Sequence, residues 1–333
     1  MSECLQKRPL VGITTTIPSE IVYAAGMRPV DLNNAFITAP DPDRLLETAE
    51  NAGFPRTVCA WIKGIYGAAL DCDLECLIAV TGGDCSNTIA LADVLERRGV
   101  RMVRFDYPPN RSRAGLDRAV NGLAEALGAP WAKVLEAKQR LDRIRRKLER
   151  LDRMTYREDR VSGLENHLFL VSSSDFQSDP DRYEADLDAF LAKAENRVPK
   201  GAGVRLGFVG VPPVFSNLYE TLEDLGAQVA FNEVQRQFSL PGPDRDLLDC
   251  YLDYTYPYDI GSRIDDIRRA VEERRLDGII HYTQTFCHRQ IHDILIRESL
   301  EVPVLTLEGD RPGALDGGTL TRVETFLEVL KGV

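Results

Sequence analysis

Short β-branched and apolar runs alternate with stretches of helical periodicity over the first third of the chain. Leu10 to Thr16 predicts a strand, Pro18 to Ala25 a short helix stopped by Gly26, and Met27 to Leu32 a second strand. Helical spacing returns from Asp43 to Ala52 and from Cys59 to Leu70. The apolar run Leu77 to Thr81 then predicts a buried strand, Cys85 to Arg98 a helix, and Val100 to Phe105 a strand. This alternation predicts a parallel sheet covered by helices on both faces.

The middle changes character. From Arg113 to Arg160 the chain is rich in Ala, Leu, Arg, Lys and Glu, with Leu141, Ile144, Leu148 and Leu151 as one apolar stripe, so a helical insert is expected. Helices are also expected over Leu164 to Phe176 and Asp181 to Asn196, before Pro199, Gly201 and Gly203 interrupt the pattern. The last third restarts the first. Strands are predicted at Arg205 to Val211, Gln228 to Asn232, Gly278 to Thr283 and Val302 to Leu307, and helices at Val214 to Leu225, Ile264 to Arg275, His288 to Ser299 and Thr319 to Leu330. The fold class read from this is α/β: two similar Rossmann- or flavodoxin-like parallel-sheet domains, 1–112 and 201–333, joined by a helical insert, 113–200. The two thirds form a weak internal repeat. Leu77 to Thr81 leads into Cys85 as Ile279 to Thr283 leads into Cys287.

Composition narrows the function. A 333-residue chain with 28% charged residues and a net charge of -11 is an ordinary globular sequence that lacks the basic excess needed for general attraction to nucleic acid or an anionic membrane. No apolar run approaches the ~18 residues of a membrane span, and Met1 to Leu10 has no signal-peptide core, so a cytoplasmic protein is expected. Seven cysteines, an odd number in a chain long enough for its own core, argue for free thiols or a metal site over a disulfide framework. The sequence has no G-x-G-x-x-G, G-x-x-x-x-G-K-[ST] or G-x-S-x-G motif.

Ligands in open α/β sheets gather beyond the carboxyl ends of the strands. Cys85 and Cys287 are predicted there, at strand-to-helix turns, and Cys59 at the start of a helix. A helix N-terminus is expected to lower their thiol pKa values. Cys4 and Cys250 read as ordinary small core residues, and the C-x3-C pair Cys72 and Cys76 lacks the second pair of a zinc ribbon.

The stretch Pro18, Ser19, Glu20 through Ala24, Ala25, Gly26 to Pro29 resembles the P-x-E-x-x-x-A-A-G-x-x-P opening of the 2-hydroxyacyl-CoA dehydratase and benzoyl-CoA reductase family. Cys59 to Gly67, Gly83-Asp84-Cys85-Ser86 and Thr285-Phe286-Cys287-His288 are similar to its three cluster-cysteine motifs. Glu308-Gly309-Asp310 with Thr321-Arg322 to Glu328 resembles its C-terminal signature. The resemblance implies that Cys59, Cys85 and Cys287 hold one [4Fe-4S] cluster. The implied reaction adds one electron to a 2-hydroxyacyl thioester, so that a ketyl radical expels hydroxide and the otherwise non-acidic β-proton can leave. It further implies an ATP-hydrolysing iron-sulfur activator as electron donor, an acyl-CoA substrate, and either a homologous second subunit or a homodimer. A benzoyl-CoA reductase-like or double-cubane-cluster reductase subunit, or a non-catalytic cluster-bearing subunit, is the alternative. Cys72 and Cys76 are similar to the extra cysteines of a double-cubane branch, giving a double-cubane [8Fe-9S] cluster as the alternative cofactor; a single cluster is favoured because that branch needs six ligands. Glu20 and His288 are the candidate acid/base groups, and Lys63, Arg289 and Arg322 the candidate cations for CoA phosphates or cluster sulfides. The family's helical leader before the first strand is not found here.

Overall fold

The computed structural model describes residues 8–201 and 203–332. Cys4 lies outside them.

Two four-stranded, wholly parallel sheets are present, built to one plan. β1 (Leu10–Ile13), β2 (Arg28–Asp31), β3 (Leu74–Gly82) and β4 (Met102–Asp106) are ordered β2-β1-β3-β4. β5 (Val204–Val209), β6 (Ala227–Asn232), β7 (Gly278–Gln284) and β8 (Val304–Gly309) are ordered β6-β5-β7-β8. In each sheet the order reverses beside the first strand, which opens a crevice at the carboxyl ends. β7 is buried along its whole length, as a central parallel strand must be when helices cover both faces.

The predicted α/β class therefore holds, and the elements differ in detail. The expected helical insert from Arg113 to Arg160 is formed by two helices, Arg113–Leu127 and Trp131–Tyr156, separated where Gly128 adopts a left-handed conformation (φ 65°) and Pro130 follows it. The helix expected to reach Phe176 stops at Val171 and gives way to two tight turns, in which Phe176, Gln177 and Ser178 all have positive φ. The helix expected over His288 to Ser299 begins as a 3-10 turn, His288–Ile291. Short helices at Leu32–Ile37, Glu233–Phe238 and Leu247–Leu252 were not expected. Each spans six residues, too few for a 3.6-residue period to register.

The two halves interlock. Val234, Leu240, Leu247, Tyr251, Tyr254, Tyr256 and Tyr258, all from the last third, are buried in the same core cluster as Val11, Ile78 and Phe105 of the first sheet. In exchange, Ile37 and Trp61 of the first third pack against the core of the second sheet.

The 26-residue helix Trp131–Tyr156 ties the halves together with buried charge. Arg145 faces the Glu20 carboxylate at 2.6 Å and Asp142 at 3.0 Å. Two turns further on, Asp152 accepts a two-pronged bond from Arg274 (2.9 and 2.6 Å), whose guanidinium lies 4.2 Å over the Tyr156 ring. Removing one member of such a pair strands a charge in the interior and costs about 3–5 kcal/mol, whereas removing both costs far less. Arg145→Met should thus lower stability by about that amount in urea unfolding, and Glu20→Gln with Arg145→Met should restore most of it. A single-mutant loss below ~1 kcal/mol would show that the pair does not anchor the helix.

Candidate active site

Where the carboxyl edges of the two sheets face each other, the chain encloses a cavity of about 190 Å³. Cys59, Cys85 and Cys287 all line it. Cys59 is the residue before helix Ala60–Asp71, Cys85 stands in the turn between β3 and helix Asn87–Arg97, and Cys287 precedes the 3-10 turn after β7. The sheet repeat thus brings Cys85 and Cys287 to equivalent strand ends.

The turns that carry these thiols are held rigidly. Gly83, before Cys85, has φ +94°, and a Cβ there would meet the Pro257 carbonyl oxygen at 2.8 Å and Tyr107 Cβ at 2.9 Å, so a larger residue would force the halves apart. Phe286, before Cys287, is held at φ 66°, a costly conformation for an aromatic residue. Arg289 bridges the two turns: it donates to the Gly83 and Tyr256 carbonyl oxygens, both at 3.0 Å, and stacks 4.2 Å from the Tyr256 ring.

The thiols are not acidified as expected. Burial pushes Cys59 up to about 11 and Cys85 up to about 12, and raises Cys287 as well; neighbouring thiols and Asp84 add to the rise. Backbone N–H groups at the helix starts pull the other way, but desolvation outweighs them. Three thiols spread around one chamber fit a polynuclear iron-sulfur centre, in which each thiolate takes its own iron. They do not fit a single ion. Among the described residues no three His, Cys, Asp or Glu side chains close on one point.

The other cysteines stand elsewhere. Cys76 is buried in β3 and Cys72 ends the helix before it, both near the amino end of that strand, about 20 Å from its carboxyl end. Cys250 points at the Gly242 carbonyl, away from this cavity.

The remaining sequence candidates are not brought together. Glu20 is fully buried and committed to Arg145 and to the Tyr251 hydroxyl (2.9 Å), off the cavity wall. His288 is exposed. Lys63 is buried but pairs with Glu50 at 2.7 Å, and Arg322 is an exposed residue that donates to the Thr306 carbonyl. Of the three cations, Arg289 alone adjoins the thiol turns.

Several cavity residues escaped sequence reasoning. Asp31, the last residue of β2, caps helix Leu32–Ile37 through the Asn33 N–H (2.9 Å), and burial raises its carboxyl pKa. Behind it, Asp175 accepts the Asp31 N–H at 2.7 Å and is pushed up to about 7 by burial and by the neighbouring Asp31 charge. Asp84 is pushed up to about 6, mainly by burial. His167, from the insert helix Gly163–Val171, lies 3.1 Å from the Gln235 amide through Nδ1, and burial holds its pKa down near 4, so it is neutral at pH 7. Asp31 ends a strand and Asp84 stands two residues beyond one, which the strand-end rule could have flagged. His167 arrives from across the chain and left no local trace.

A family model described as 2-hydroxyglutaryl-CoA dehydratase, D-component, matches residues 14–330, nearly the whole chain. No curated protein matches it.

The Asp31–Asp175 pair generates a pH signature. Asp175, flanked by Asp31, Tyr23 and Tyr183, holds its proton in the folded state up to about pH 7, against an ordinary value of 3.8. The folded state thus binds the extra proton, and stability falls as pH rises between about 4 and 7, by up to about 4 kcal/mol from this group. Asp175→Asn cannot ionise, so its stability relative to the parent should climb over that interval in urea unfolding. A difference that does not change with pH would show that Asp175 ionises normally.

Proposed function

The chain belongs to the 2-hydroxyglutaryl-CoA dehydratase D-component family, and from that premise we propose that it is the iron-sulfur component of an ATP-dependent, radical-type 2-hydroxyacyl-CoA dehydratase acting in the cytoplasm. The observation that carries this reading is the convergence of Cys59, Cys85 and Cys287, from both sheets, on one cavity. These three residues would hold a [4Fe-4S] cluster. Bound there, the cluster would supply one low-potential electron to the thioester carbonyl, so that hydroxide can leave and the β-proton becomes acidic. Because that electron would be returned after the elimination, the overall loss of water would be redox-neutral.

The protein's own groups do the rest. Ile37, Ile62, Ile65 and Val234 give the chamber an apolar wall. Asp31, one of the two carboxyls on that wall, would accept the β-proton in its ionised form, with Asp175 behind it to tune its charge. Arg289 fixes the Cys85 and Cys287 turns relative to each other. Glu20, in this reading, acts through Arg145 as an anchor for the long helix. Among the described residues no helix is long and apolar enough to cross a membrane. The sequence carries no P-loop, so ATP hydrolysis belongs to a separate activator, and a second homologous subunit or a second copy completes the complex.

Protein prepared without oxygen should be brown and carry about four irons per chain. Cys59→Ala, Cys85→Ala and Cys287→Ala should each lose that iron, while Cys72→Ala and Cys76→Ala should retain it. Iron retained by all three cavity variants would overturn the ligand assignment. Turnover with activator, ATP and a strong reductant should consume far fewer electrons than product formed. Two electrons per product would mark a reductase instead.

A further inference from the structure

We propose that the cavity selects an acyl thioester with an uncharged, largely apolar acyl chain and rejects a dicarboxylic acyl group such as glutaryl. The inference rests on the reading that this cavity takes an acyl thioester, and it names the class of acyl group. No Lys or Arg stands among the residues that line the chamber, whereas two carboxyls, Asp31 and Asp84, do. The nearby cations are engaged elsewhere: Arg289 with the Gly83 and Tyr256 carbonyls, Arg263 with Glu233 at 2.7 and 2.8 Å, and Lys63 with Glu50. Most of the exposed wall surface is apolar, with Ile37, Ile62, Ile65, Val171, Val234 and Phe238 among the side chains that provide it.

A distal carboxylate entering this chamber would lose its water, find no counter-charge and face two acids. An unpaired buried charge is among the most costly arrangements a binding site can hold. A hydrocarbon chain meets the opposite situation, since each methylene taken from water raises affinity roughly fourfold. The polar end of the ligand is served without charge. His167 is neutral, its Nδ1 is occupied by Gln235, and its Nε2 has no hydrogen-bond partner among the described residues, so the ring can meet a carbonyl oxygen through that atom.

Hexanoyl-CoA and glutaryl-CoA test this directly, because neither carries the reacting hydroxyl and the CoA part is common to both. Titrated calorimetrically into the full chain purified without oxygen, hexanoyl-CoA should bind at least ~100-fold more tightly. Thr38→Lys, at an exposed position on the rim of the same cavity, should narrow the ratio about tenfold by tightening glutaryl-CoA, since it supplies the missing cation without disturbing the core. Equal or tighter binding of glutaryl-CoA by the parent would overturn the selectivity and leave the thioester reading standing. An unchanged ratio in Thr38→Lys would overturn the assignment of this cavity to the acyl chain. Binding of neither thioester would overturn the thioester reading itself, and the selectivity with it.

Discussion

Two buried ion pairs on one helix set the relation between the two sheets, and every feature of the cavity depends on that relation. Arg145 reaches Glu20 behind the first sheet, and Asp152 reaches Arg274 behind the second. A charge in a protein interior is tolerated only with its partner in good geometry, so each pair acts as a positional constraint with a steep penalty for slippage. The helix that carries both pairs spans 26 residues and is itself charged along its length. Its register therefore fixes both sheet edges at once.

With the edges fixed, the thiols need only short, stiff turns to meet. Gly83 allows the first half's turn to pass against the Pro257 carbonyl, and Arg289 bonds across the seam to the Gly83 oxygen. Phe286 pays a conformational penalty to aim the next residue, Cys287, at the cavity. Such strain persists only where the surroundings overdetermine it, and here the Cys287 N–H donates to the Gln284 carbonyl at 2.9 Å and Arg289 ties the turn to Tyr256, whose ring packs into the first sheet's core.

Much of this was legible in the sequence. The strand and helix order followed from alternating apolar runs, and the repeat of a core strand leading into Cys85 and Cys287 placed two of the three cavity thiols at strand ends before any coordinates. What was not legible depends on distance in space. The pairing of Glu20 with Arg145 joins residues on separate elements, so the carboxylate at a helix start read as available when it is spent on the fold. Thiol acidity was misjudged for the same reason: the helix-start effect is local and visible, whereas burial by the opposite half is not. The segment between Asn232 and Ile264 gave no clear periodicity because its residues pack on the other half's sheet through short helices and turns.

The two halves share a plan but divide the labour, and the division can be traced to matching positions. β2 ends on Asp31, which faces the cavity with a carboxyl held toward its neutral form. β6, its counterpart, ends on Asn232, which is fully buried and spent: Oδ1 accepts from the Tyr219 hydroxyl at 2.7 Å, and Nδ2 donates to Asn166 Oδ1 at 2.8 Å and the Gly163 carbonyl at 3.2 Å. Those bonds seat the helix that carries His167. The first half thus contributes the ionisable groups, Asp31 and Asp84 with two of the thiols, while the second contributes one thiol and uses the position matching Asp31 to hold a neutral imidazole over the chamber. A carboxylate in place of Asn232 would add one more buried acid and would lose the donor that bonds Gly163 and Asn166. An amide at one end and an acid at the other gives the chamber a proton-holding side and a hydrogen-bonding side, which symmetric halves could not supply.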